Sequence, residues 1–120
     1  MAADQIINQA TGYNVPSPGN NTNIFTTSIT PVYPASALRV TVCLATTSVF
    51  NVRVTDGTTA FTMSLNSGAT LTAGNLYTFA FGVHQKSNAS PPLTLTYNFQ
   101  VATTGVINFI MVEEVPTGVI

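Results

Sequence analysis

Apolar and polar positions alternate with a period of two along most of this chain. Between Ala37 and Ala45, Leu38, Val40, Val42 and Leu44 fall on one side, and Arg39, Thr41 and Cys43 on the other. Successive strand side chains point to opposite faces, so this is the pattern of a half-buried strand. The same spacing predicts a strand over Val49–Thr55, with Phe50, Val52 and Val54 inward and Asn51 and Arg53 outward. Asp56-Gly57 is a hairpin signal, and Ala60–Leu65 returns with Phe61, Met63 and Leu65 inward. Further strands are predicted over Ile24–Ile29, over Asn75–Val83 with Tyr77, Phe79, Phe81 and Val83 on one face, and over Leu93–Val101. The most apolar run is Val106–Val112. Val106, Ile110 and Val112 share one parity and Ile107, Phe109 and Met111 the other, so this strand is expected to be covered on both sides.

No stretch of useful length has a 3.6-residue period, and Gly, Pro, Asn and Asp interrupt the strands about every ten residues. The expected fold is all-β: a single antiparallel two-sheet sandwich of seven or eight strands, jelly-roll-like, with an extended N-terminal arm. The absence of Trp argues against an immunoglobulin core. Residues 1–23 read as the arm, 24–116 as the sandwich and 117–120 as a C-terminal tail. The run Gly12–Asn21 is turn and linker chemistry. Ile6, Ile7, Tyr13 and Val15 are the apolar residues by which such an arm would dock on a partner.

Composition narrows the functional classes. Charged residues are 6% of the chain, against roughly 25% in an ordinary soluble domain. With a net charge of −1 there is no basic patch for phosphates, so neither nucleic acid nor an anionic membrane is expected as a partner. The longest apolar run is far below the ~20 residues of a spanning helix. No secretory signal is visible after Met1, so synthesis in a cytoplasm is expected. The single cysteine, Cys43, rules out an intrachain disulfide and reads as a packed thiol. A surface of Thr, Ser, Asn and Gln does little to discourage association. It suits a protein largely covered by other protein.

Reactive constellations are missing. His84, the only histidine, has no nearby acid, nucleophile or second metal ligand in sequence. Glu113 and Glu114 are adjacent and therefore point to opposite faces, so they form no catalytic dyad. Asp56 is explained by its turn. The sequons at Asn20 and Asn88 and the Thr-x-Thr pairs at Thr70 and Thr94 follow from an Asn/Thr-rich chain. An enzyme is not expected, nor is a cofactor or a metal. Sugar-binding faces favour exposed Trp or Tyr; Tyr77 and Tyr97 share parity with Phe79 and Phe99, which leaves Tyr13 and Tyr33.

Three stretches, Val52–Gly57, Leu65–Phe79 and Tyr97–Val101, together resemble small β-sandwich structural proteins of double-stranded DNA viruses, including the capsid decoration (cement) proteins of tailed bacteriophages. Gly74-Asn75-Leu76-Tyr77-Thr78-Phe79 is also similar to the Gly-x-Tyr-x-Phe strand of trimeric tumour-necrosis-factor-like and complement-like jelly rolls. The resemblance implies a virion protein: a homotrimer seated on the major capsid or another shell protein, with its N-terminal arm gripping the shell. The alternatives are a receptor- or glycan-binding surface module, acting through loops 30–36 and 85–92, and a filament subunit.

Overall fold

The computed structural model describes residues 5–116; the expected tail at 117–120 and the first four residues of the expected arm lie outside the described residues. Eight strands form within them: β1 (Ile7–Ser17), β2 (Thr22–Asn23), β3 (Ala35–Leu44), β4 (Phe50–Thr55), β5 (Ala60–Ser64), β6 (Leu76–His84), β7 (Thr96–Val101) and β8 (Gly105–Pro116). They make two four-stranded antiparallel sheets, ordered β1-β8-β3-β6 and β2-β7-β4-β5. The chain is an all-β two-sheet sandwich. Pairing is nested: first strand with last, second with seventh, third with sixth, fourth with fifth. The short connections between β1 and β2 and between β7 and β8 stack those neighbours across the sandwich, which leaves β5 and β6 together at the opposite side.

The core is built where alternation is cleanest. Leu38, Val40, Val42 and Leu44 of β3 face Phe50, Val52, Phe99 and Val101 of the other sheet, and all are buried. Phe99 sits at the centre, stacked on Phe50 at 5.5 Å and met by Phe25 and Phe81 at 6.4 and 6.2 Å. The β4–β5 hairpin turns as expected, with the Asp56 carboxylate accepting from the N–H groups of Thr58 and Thr59 at 2.8 and 2.7 Å. Those bonds, Thr59 foremost, hold the Asp56 pKa below its ordinary value.

Several details differ from the expectation. The described part of the expected arm does not stand apart: Ile7–Ser17 pairs along β8 as a sheet edge. A bulge between Asn8 and Ala10 and a left-handed Asn14 (φ 50°) break its period, so the strand reads as linker. The strand expected over 24–29 is reduced to one bridge at Ile29, with the two-residue β2 just ahead of it, and β7 begins at Thr96, not Leu93. In β8, a shift of register beside Leu44 brings Ile107 to the core alongside Ile110 and Val112. Its other face, with Val106 exposed and Phe109 and Met111 half-buried, has no cover among the described residues. Phe61 and Met63 also lack cover, at 61% and 39% exposure.

The outward face of β7 is not solvated either. Segment 21–28 lies over it and is held by side-chain amides. Asn98, 2% exposed, donates to the Phe25 carbonyl (2.8 Å) and the Ser28 hydroxyl (3.1 Å) and accepts from the N–H groups of Phe25 and Phe99 (3.1 and 2.8 Å). Gln100 donates to Asn23 at 2.7 Å, and Asn51 to Asn21 at 3.2 Å. Asn98→Ala strands the Phe25 N–H and C=O and is expected to cost about 2–3 kcal/mol in urea unfolding. A change below about 0.5 kcal/mol would mean that packing and the main-chain bonds of Asn21 and Ile24 to β7 hold this segment without the amide.

Candidate functional site

Two groups of residues merit attention as sites: a buried carboxylate and an uncharged sheet face. Glu114, near the end of β8, is 0% exposed. Its carboxylate accepts from the N–H groups of Val32 (2.8 and 3.1 Å) and Tyr33 (2.9 Å), the Ser36 hydroxyl (2.7 Å) and the Gln9 amide (2.6 Å). Burial is the largest single influence and opposes ionisation, but these donors together outweigh it and hold the pKa below the ordinary carboxylate range. Among the described residues no cation pairs with it. The carboxylate ties β1, β3, β8 and the 30–34 loop together at one corner.

Its neighbour Glu113 points the other way, as strand alternation requires, and pairs with Arg39 across β3 at 3.0 Å. That exposed pair contributes no more than about 1 kcal/mol. It does neutralise the acid and base on the outer face of the β1-β8-β3-β6 sheet. The face also carries the Asn108 amide, which donates to the Cys43 sulfur at 3.8 Å, with Asn8 beside Glu113 and His84 at the far end of β6; its remainder is apolar or hydroxylic. One row across the strands is Tyr13, Phe109, Cys43 and Leu76, and the next is Thr11, Met111, Thr41 and Thr78. Tyr13 and Leu76 are 71% and 66% exposed, and the Tyr13 ring meets Phe109 at 5.3 Å. Cys43 lies half-buried in this row, not in the core.

The expected arm residues divide between the two faces. Tyr13 belongs to the outer row; Val15 packs against the core, on the far side of the Asn14 irregularity. Ile7 is half-buried opposite Glu114, and Ile6 is 51% exposed just before β1. The outer row was not legible as a unit. Phe109 and Met111 were visible as an apolar parity, but the partners that extend them across the sheet come from distant parts of the chain.

The loops at 30–36 and 85–92 are brought together by Gln85, whose amide donates to the Pro31 carbonyl at 3.2 Å and whose N–H donates to Pro34 at 3.0 Å. A shallow cavity of about 410 Å³ opens beside them, lined by His84, Lys86, Ser87, Asn88 and Leu95. The Tyr97 hydroxyl caps the main chain of His84, and burial raises its pKa. Tyr77, by contrast, accepts from the Thr72 N–H, which lowers its pKa. Among the described residues no three His, Cys, Asp or Glu side chains converge as metal ligands. Tyr33, the other tyrosine considered for sugar stacking, donates its hydroxyl to the Gln5 carbonyl at 2.7 Å.

No protein family, curated protein or solved structure matches the chain.

Proposed function

We propose that this protein is a structural building block of a virion: a decoration or cement protein that self-associates, as a homotrimer, and stabilises a viral shell by covering it. The observation that carries this reading is the outer face of the β1-β8-β3-β6 sheet, where Tyr13, Phe109, Leu76 and Met111 form an uncharged apolar surface. Protein that leaves such a face bare in water is prone to associate, and an almost chargeless chain has little to oppose it. The nested strand pairing supports a jelly-roll reading of the sandwich. Shell binding would bury this face against the major capsid protein or another virion protein, with no chemistry and no cofactor.

Deleting the first 22 residues is a poor test, since it removes β1 and uncovers β8 along its length. Point changes are better. Tyr13→Asp is expected to leave the melting temperature within a few degrees, because the ring is exposed. It should weaken binding to purified shells by about 30-fold or more if Tyr13 is a central anchor. Co-sedimentation with particles reads this directly, and undiminished binding would remove Tyr13 from the contact. The role itself is tested by antibody labelling of purified particles, where absence of the chain from their surface would sink it.

A receptor- or glycan-binding module is the second reading, favoured by the cavity beside the joined 30–36 and 85–92 loops. Saturable binding on a glycan array by a protein that ignores shells would move the assignment there.

A further inference from the structure

The sandwich is sealed on one side and open on the other. At the β1/β2 side, Ile24, Phe25 and Ile29 close over the core. At the β5/β6 side no described residue covers the ends of the sheets: Phe61 and Met63 of β5 are exposed, and Tyr77, Phe79 and Phe81 of β6 are only half-buried. A line of stacked rings runs from Phe99 through Phe50 and Phe79 to Tyr77, carrying the core out to this seam.

The edge of β6 is unguarded as well. Natural sheet edges are blunted by charge, proline, bulges or shortness. β1 has Pro16 and its bulge, and β2 spans only Thr22–Asn23. β6 has none of these over Leu76–His84, and carries no Asp, Glu, Lys or Arg. The Gln85 N–H bonds the Pro34 carbonyl, in line with the β3–β6 register. Antiparallel alternation then turns the N–H and C=O groups of Thr78, Ala80 and Gly82 away from β3, toward the open side. Gly82 adds an independent sign. A Cβ there would meet nothing within 4 Å, so no contact inside the chain calls for a glycine in mid-strand. Such a glycine suits the close approach of another backbone.

We infer that a second copy of this chain seats on this edge, β6 antiparallel to β6 about a two-fold axis at Ala80. The sequence is self-complementary in that register. Ala80 meets Ala80 of the second copy, Thr78 meets Gly82, and Phe79 meets Phe81, each on the matching face. No charges are opposed, and both sheets meet their counterparts edge to edge. With aromatic side-chain areas of about 150–250 Å², the exposed parts of Phe61, Met63, Tyr77, Phe79 and Phe81 come to roughly 300 Å² per copy. Two copies supply about 600 Å² before the paired backbone is counted, about half of the roughly 1,200 Å² at which specific interfaces begin. The inference rests on the reading of this chain as a self-associating building block. It adds a two-fold contact that joins two free chains or links neighbouring trimers.

Sedimentation velocity over a concentration series, with hydrogen exchange on the same samples, tests it. The wild type should run as a dimer or, where the two-fold joins two of the proposed trimers, as a hexamer, and the amides of Thr78, Ala80 and Gly82 should become protected as concentration rises. Ala80→Glu places two carboxylates face to face at the axis, while Arg39 sits across the strand to tolerate the charge within one chain. It should halve the assembly mass, or weaken pairing at least tenfold, with an unchanged circular dichroism spectrum. Gly82→Pro, which removes a free edge donor, should do the same and serves if Ala80→Glu does not fold. A wild type that is monomeric at every concentration, an odd-numbered assembly, or unprotected edge amides in the associated protein would overturn the inference. So would pairing that survives both variants. Pairing through β6 by a protein that never coats a shell would leave the inference standing and reject the proposed role.

Discussion

Glu114→Ala is expected to remove about 3–5 kcal/mol of stability, enough to unfold a large fraction of a domain whose whole stability is about 5–15 kcal/mol. The carboxylate satisfies the Val32 and Tyr33 N–H groups, the Ser36 hydroxyl and the Gln9 amide; alanine leaves the first three without this acceptor at a closed corner, and Gln9 with only the Thr30 carbonyl at 3.4 Å. Glu114→Gln should cost less, about 2–3 kcal/mol, because one oxygen remains while the amide N–H₂ faces donors. The wild type should also lose stability in acid. Folding lowers this pKa, so the stabilisation is complete above the unfolded carboxylate value of about 4.3 and is lost as pH falls through the lower folded value. Urea titrations at pH 7 and in steps below pH 4.5 measure both effects. The Glu114→Gln curve should be flatter in that window than the wild type's; parallel curves would show that the charge contributes nothing.

Phe99→Ala should be comparably severe, at about 3–5 kcal/mol. The ring touches Phe50, Phe25 and Phe81, which belong to β4, to the segment beside β2 and to β6, so its loss opens a cavity among elements that cannot close together on it. Phe99→Leu should recover more than half of that loss by refilling most of the space. Thermal unfolding of the pair separates cavity cost from any role of the aromatic stack: if leucine is as damaging as alanine, ring stacking rather than volume dominates.

The readable and unreadable parts of this fold differ in physical kind. β3 and the β4–β5 hairpin were legible because regular alternation and an Asp-Gly turn are local signals. β1 was not, because its bulge and its left-handed Asn14 shift the period within one strand. Phe61 and Met63 show the limit of pattern: alternation gives the face a side chain takes, but only the neighbouring layer decides whether that face is covered. For Glu114 alternation gave only that it and Glu113 face opposite ways. Its burial was not legible, because the donors that surround it come from Gln9, the 32–33 peptides and Ser36, which no local spacing connects. Asn98 and Gln100 are the same case, since their cover arrives from residues 21–28. The outer row of Tyr13, Phe109, Cys43 and Leu76 is a product of register between strands far apart in sequence.

The pairing of β1 with β8 bears on how the protein behaves under tension. Ile7 lies opposite Glu114, so the two ends of the described chain leave the sandwich side by side at one corner. Pulling them apart loads the outermost bonds one at a time, as a peel, and not the whole strand in shear. The first bonds loaded are the ones beside the Glu114 corner. A chain tethered by both ends would hold until that corner gave way and then release β1 stepwise toward Ser17 at low force. Tethered instead by its surface and one end, the same sandwich would resist as a block.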